Sequence, residues 1–118
     1  MGRLIGVVLL GLLSLSVQAQ DKNKKATFEV KGNCGMCEAR IEKAAINVTG
    51  VKYAAWDVSE KMLTLILNGK KCSLQQVMQA VALVGHDTDL FKAEDSVYEK
   101  LPACCKYRDS ESAHLDHH

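Results

Sequence analysis

Five cysteines carry nearly all the chemistry this chain offers. Cys34 and Cys37 sit three positions apart in Gly32-Asn33-Cys34-Gly35-Met36-Cys37, Cys104 and Cys105 are adjacent near the far end, and Cys72 stands alone between them. Two thiolates spaced C-x-x-C, where a turn runs into a helix, reach the same side and can share one soft ion. Cu(I), Hg(II), Zn(II) and Cd(II) suit such donors better than Mg or Ca. Two ligands leave an ion under-coordinated, which suits transfer more than a closed structural zinc. The amides opening the helix depress cysteine pKa values and favour thiolate at neutral pH. The same dithiol also fits a thioredoxin-like redox pair or a structural disulfide, and the motif alone leaves all three open.

The elements around the cysteines follow from periodicity. Ala26 to Lys31 alternates as a strand, with Phe28 and Val30 on one face. From Cys37, the positions Ile41, Ala44 or Ala45, and Val48 form one helical face, and Gly50 ends that helix. Val51 to Val58 reads as a strand with Ala54, Trp56 and Val58 together, joined by a short turn to Met62 to Leu67, an antiparallel hairpin. Ser73 with Gln76 three residues on is a capping box, followed by the stripe Leu74, Val77 or Met78, Val81 and Val84. Gly85 stops this helix, and His86 to Phe91 is a short or irregular last strand. The order is an α+β, ferredoxin-like β-α-β-β-α-β sandwich with a C-terminal Cys-Cys extension. Ala93 to Leu101 predicts an added helical turn or two before Pro102, and the chain from Cys105 onward reads as polar and mobile.

The ends and the charge set the compartment. Arg3, the apolar run Leu4 to Val17 and Val17-Gln18-Ala19 read as a secretory signal peptide over 1–19, cut after Ala19. The run is short for a bilayer span, so a soluble, periplasmic or secreted protein is expected. The division is then 1–19 signal peptide, 20–25 flexible leader, 26–92 domain and 93–118 extension with polar tail. The full chain carries 15 basic and 14 acidic side chains; without Arg3 the two signs balance, and no basic block speaks for nucleic acid. All five cysteines lie beyond the cut, and an odd number in an oxidising compartment leaves one thiol for a metal, a partner or a dimer.

With these residues in place, Phe28 to Phe91 resembles the heavy-metal-associated domain family, which includes periplasmic mercury-binding proteins, copper chaperones and the N-terminal domains of copper-transporting ATPases. Residues 32 to 45 match its metal loop and first helix, and Gly50-Val51, Ala54, Trp56, Val58 and Gly85 fit as well. The resemblance implies a metallochaperone with Cys34 and Cys37 as the metal ligands. Cu(I) is the leading cargo, with Hg(II) or Zn(II) as the others. A membrane metal transporter or another thiol metal-binding domain is the implied partner. No catalytic base, nucleophile triad or phosphate loop stands in the sequence, so enzymatic activity is not expected. The methionine that the family carries before the first cysteine is missing, and His86 stands where members often carry an aromatic. The alternatives from other classes are a thiol-disulfide redox protein, against which no proline suggests the usual cis-proline loop, and a disulfide-stapled binding module without metal.

His86 is a candidate third ligand or a donor to a ligand, against a partly exposed histidine at a helix end beside Asp87. Adjacent Cys104 and Cys105 are too strained to bond each other readily, which favours a distant cysteine or a shared metal. If the extension folds back over the loop, Cys34, Cys37, Cys104 and Cys105 make a four-thiolate site; oxidation to structural bridges is the equal alternative. Cys72 reads as a lone semi-buried thiol. Met36 and Met62 read as surface or packing residues, Met36 pointing outward. His114, His117 and His118 offer low-affinity metal capture.

Overall fold

The computed structural model describes residues 23–109. The expected signal peptide and the terminal histidines lie outside the described residues. β1 (Asn23–Glu29), α1 (Gly35–Ile46), β2 (Val51–Asp57), β3 (Met62–Asn68) and α2 (Leu74–Leu83) follow in order. After them come a four-residue helix, α3 (Asp95–Tyr98), and a 3-10 turn at Ala103–Cys105. Among the described residues no helix is long and apolar enough to cross a membrane.

The sheet is antiparallel in the order β1-β3-β2, so β3 is central. Its sequence explains the position: Leu63, Leu65 and Leu67 alternate onto one face and are buried, each side chain contributing about 1.5–3 kcal/mol. Phe28 and Trp56 pair opposite Leu63, and Ala26 and Ala54 opposite Leu65. Two helices cover this face, α1 through Cys37, Ile41 and Ala45, and α2 through Val77, Met78, Val81 and Ala82. The Ser73 capping box forms as expected: the Ser73 hydroxyl accepts from the Gln76 amide, and the Gln76 side chain accepts from the Ser73 amide. Gly85 closes α2 at a φ of +111°, and a Cβ there would stand 3.0 Å from Leu101, so only glycine serves.

Several expectations shift. β1 begins at Asn23, inside the stretch expected as a leader, because Asn23, Lys24 and Lys25 continue the ladder to Asn68, Leu67 and Ile66. Val58 leaves the inner face and is 37% exposed. The chain has already turned at Asp57, whose carboxylate accepts from the Ser59 hydroxyl and the Glu60 amide. The fourth strand is reduced to a single bridge, Val30 to Thr88, beside β1. Its neighbouring backbone groups are used elsewhere: the Tyr107 hydroxyl accepts from the Asp87 amide at 3.0 Å and donates to the Gly85 carbonyl at 2.7 Å.

The segment after Cys105, expected to be loose, is docked as far as residue 109. Tyr107 is buried, stacked on His86 and edge-on to Tyr98. Arg108 donates to both oxygens of Asp87, to the Ala93 carbonyl and to Asp95, with its guanidinium 4.3 Å from the Tyr98 ring centre. Directed polar bonds thus hold the extension together with the burial of Tyr98, Leu101 and Tyr107.

Burial raises the Asp87 carboxyl pKa, but Arg108 and the Ala93 amide outweigh it and hold the group below its ordinary value. A depressed folded-state value contributes stability that is whole above the ordinary carboxylate pKa and is lost as pH falls through the folded value. Acid should therefore release the extension. Asp87→Asn should cost about 2 kcal/mol and accelerate amide exchange across residues 103–109, while the β1 and β3 amides keep their protection. Unchanged exchange in the extension would refute this anchoring role.

Candidate metal centre

The loop between β1 and α1 is held from three sides. The Trp56 indole donates to the Val30 carbonyl at 3.0 Å, the Lys31 amide donates to the Asp87 carbonyl at 3.0 Å, and His86 Nδ1 donates to the Lys31 carbonyl at 2.7 Å. Gly32 then passes so close to Trp56 and Cys37 that a Cβ would stand 3.0 and 3.1 Å from them. Cys34 is the N-cap of α1 in extended conformation, and its carbonyl accepts from the Glu38 amide. Cys37 falls in the first helical turn, buried, with the Asn33 amide donating to its sulfur at 3.4 Å.

Cys104 and Cys105 arrive on the docked extension, 70 residues further on. Cys34 Sγ lies 3.3 Å from Cys104 Sγ, 3.6 Å from Cys105 Sγ and 3.7 Å from Cys37 Sγ. Cys104 and Cys105 are 3.9 Å apart. Metal–sulfur bonds of about 2.3 Å at a tetrahedral centre place sulfurs about 3.8 Å apart, close to these spacings. The sulfurs of Cys34, Cys104 and Cys105 lie within 4.8 Å of one another. Arg40 on α1 donates to Cys105 Sγ at 3.3 Å, and Met36 Sδ lies 3.5 Å from Cys104 Sγ. All five cysteines are free thiols.

The four thiols divide the charge unevenly. Slight burial raises the Cys34 pKa, but the Cys37 amide and the thiols of Cys104, Cys105 and Cys37 bring it down to about 6. That amide acts without forming a full capping hydrogen bond. Burial lifts Cys37 to about 11. Cys104 rises through its contact with Cys34, and Cys105 chiefly through burial. At neutral pH, one thiolate sits among three protonated thiols.

His86 is fully buried, outside the close thiol trio, and its surroundings differ from the partly exposed helix-end site that the sequence also allowed. With Nδ1 bound to Lys31, Nε2 lacks a proton and has no hydrogen-bond partner among the described residues. Desolvation lowers its pKa, keeping the ring neutral. Cys72 is buried beside Gly50, its thiol directed at the Asn68 carbonyl, and takes no part in the cluster. Met36 is 53% exposed, as expected, yet its thioether faces Cys104 instead of open solvent. Sequence reasoning missed Arg40 and Tyr107. Arg40 carried a signal, standing three residues after Cys37 on the same helical face; Tyr107 carried none.

No protein-family model matches the chain. A copper-transporting ATPase, HMA5, of Oryza sativa subsp. japonica is 28% identical over 96 residues, which are 80% of this chain and 9% of that protein's length. Among solved structures, the N-terminal domain of a potential copper-translocating P-type ATPase from Bacillus subtilis, in its Cu(I)-loaded state, is 30% identical. It matches with a TM-score of 0.54 over 64% of this chain and 95% of that one. Oxidized MerP from Ralstonia metallidurans CH34 shares the fold at 24% identity and a TM-score of 0.55, over 57% of this chain and 94% of that one.

The charge distribution predicts the order of thiol reactivity in the reduced, metal-free chain. Iodoacetamide should alkylate Cys34 first, with an apparent midpoint near pH 6, and Cys37 last. Mass-spectrometric mapping across pH checks this; Cys37 reacting ahead of Cys34 would overturn it.

Proposed function

Since this chain carries a heavy-metal-associated domain, we propose that it binds a soft metal ion and passes it on by ligand exchange, with Cys34 and Cys37 as primary ligands and Cys104 and Cys105 completing the site. Cu(I) is the leading cargo, with Hg(II) and Zn(II) as the competitors that thiolates also hold. The observation that carries the reading is the convergence of Cys34 with Cys104 and Cys105 from opposite ends of the described chain. Cys37 and Cys105 also pack in the core, but the exposed Cys104 has no such role and its sulfur still lies 3.3 Å from that of Cys34.

Transfer follows from exposure and acidity. Cys104 is the exposed thiol, so an incoming thiol reaches the ion on that side. As the new metal–sulfur bond forms, the bond to Cys104 breaks, and the proton lost by the incoming thiol replaces the metal on Cys104. The raised Cys104 pKa favours its leaving as a thiol. Repeating the exchange moves the ion without redox change. The acceptor is a second thiol metal-binding domain, either free or belonging to a membrane transporter of the kind the ATPase relatives represent. The exchange takes place outside the cytoplasm, a placement supported by the secretory reading of residues 1–19.

The test uses the full chain, reduced and without oxygen, loaded with Cu(I) against a competing chelator. Cys34→Ser/Cys37→Ser should weaken retention about a hundredfold or more, and Cys104→Ser/Cys105→Ser should weaken it less. Equal, weak retention in all three proteins would end the metal reading.

A further inference from the structure

Building on that reading, we propose that the chain holds two Cu(I) ions together, bridged by Cys34, with Cys37 and Cys105 serving an inner ion and Cys104 with the thioether of Met36 serving an outer one. The arrangement of sulfurs argues for two positions. Cys34 is within 3.7 Å of each of the other three cysteine sulfurs. A regular four-thiolate tetrahedron needs all six sulfur pairs at about 3.8 Å. Here Cys37 stays outside the 4.8 Å group that Cys34, Cys104 and Cys105 form. The sulfurs therefore divide into two sets that share Cys34: an inner one with Cys37 and Cys105, and an outer one with Cys104, whose sulfur lies 3.5 Å from Met36 Sδ.

Burial divides the donors in the same way. Cys37 and Cys105 are fully buried, while Cys104 and Met36 are exposed. Met36 Sδ stands 3.5 Å from Cys104 Sγ, supplying a neutral soft donor where the outer set lacks a third thiolate. Charge points the same way. With all four thiols ionised and Arg40 beside Cys105, one monovalent ion leaves the cluster at a net charge of minus two, and two leave it at minus one. Three-coordinate Cu(I) suits sulfurs at the spacings seen around Cys34, and a thiolate has lone pairs enough to bridge two ions. A divalent ion would neutralise the same charge alone, so the pairing is specific to monovalent cargo.

Native mass spectrometry of the reduced full chain, titrated anaerobically with Cu(I) in the presence of a competing chelator, reads the stoichiometry directly. The monomer should take up one and then two Cu(I), and the doubly loaded form should show a copper–copper vector in X-ray absorption. Met36→Leu keeps the bulk and removes the sulfur; it should weaken the second ion about tenfold or more and leave the first unchanged. Cys104→Ser should weaken the second ion more strongly still. Saturation at one ion in the unmodified chain overturns the paired site while leaving the proposed function standing. No retained ion overturns both. A second ion held equally well by both variants, or seen only at the mass of a dimer, also overturns the paired site.

Discussion

Asp87 ties the two ends of the thiol cluster together. Its backbone carbonyl receives the Lys31 amide at the root of the metal loop, and its carboxylate receives Arg108 from the extension that carries Cys104 and Cys105. One residue thus registers both halves of a site whose sulfurs are 70 residues apart. The extension buries Tyr98, Leu101, Cys105 and Tyr107 against the core, but apolar burial is non-directional and does not by itself set a register. The directed bonds of Asp87, Tyr107 and Arg108 supply that register.

Electrostatics then decides how the cluster behaves when empty. Four thiolates within 4 Å of a neighbour would repel strongly, and the metal-free site avoids this by ionising Cys34 and keeping the others protonated. Cys34 is the member with the most donors around it, at the N-cap of α1, so the anion settles where the helix amides also favour it. Metal binding must expel the remaining protons, which links affinity to pH. Arg40 brings a fixed cation to the cluster, donating to the buried Cys105.

His86 is the other buried polar group near the loop, and its position explains its neutrality. Nδ1 is spent on Lys31, and the ring is sandwiched against Tyr107 in surroundings that disfavour a charge. It therefore orients the loop carbonyl and the docked tyrosine at once. Trp56 supports the same loop, its ring packed close to Gly32 and its indole donating to the Val30 carbonyl.

Much of this protein was legible along the chain because local periodicity expresses local burial. The alternation of Leu63, Leu65 and Leu67, the stripe Cys37, Ile41 and Ala45, and the Ser73 capping box each follow from neighbours within one element, and each stands in the structure. The C-x-x-C spacing likewise fixed which two thiols open α1. The fate of Cys104, Cys105, Met36 and His86 was not legible, because it depends on where the extension lands. That landing is set by Asp87, Tyr107 and Arg108, whose partners are distant in sequence and leave no periodic trace. The sequence determined the donors and their softness; only the tertiary structure decided which of them meet, because long-range polar bonds, not local propensity, bring the ends of the chain together.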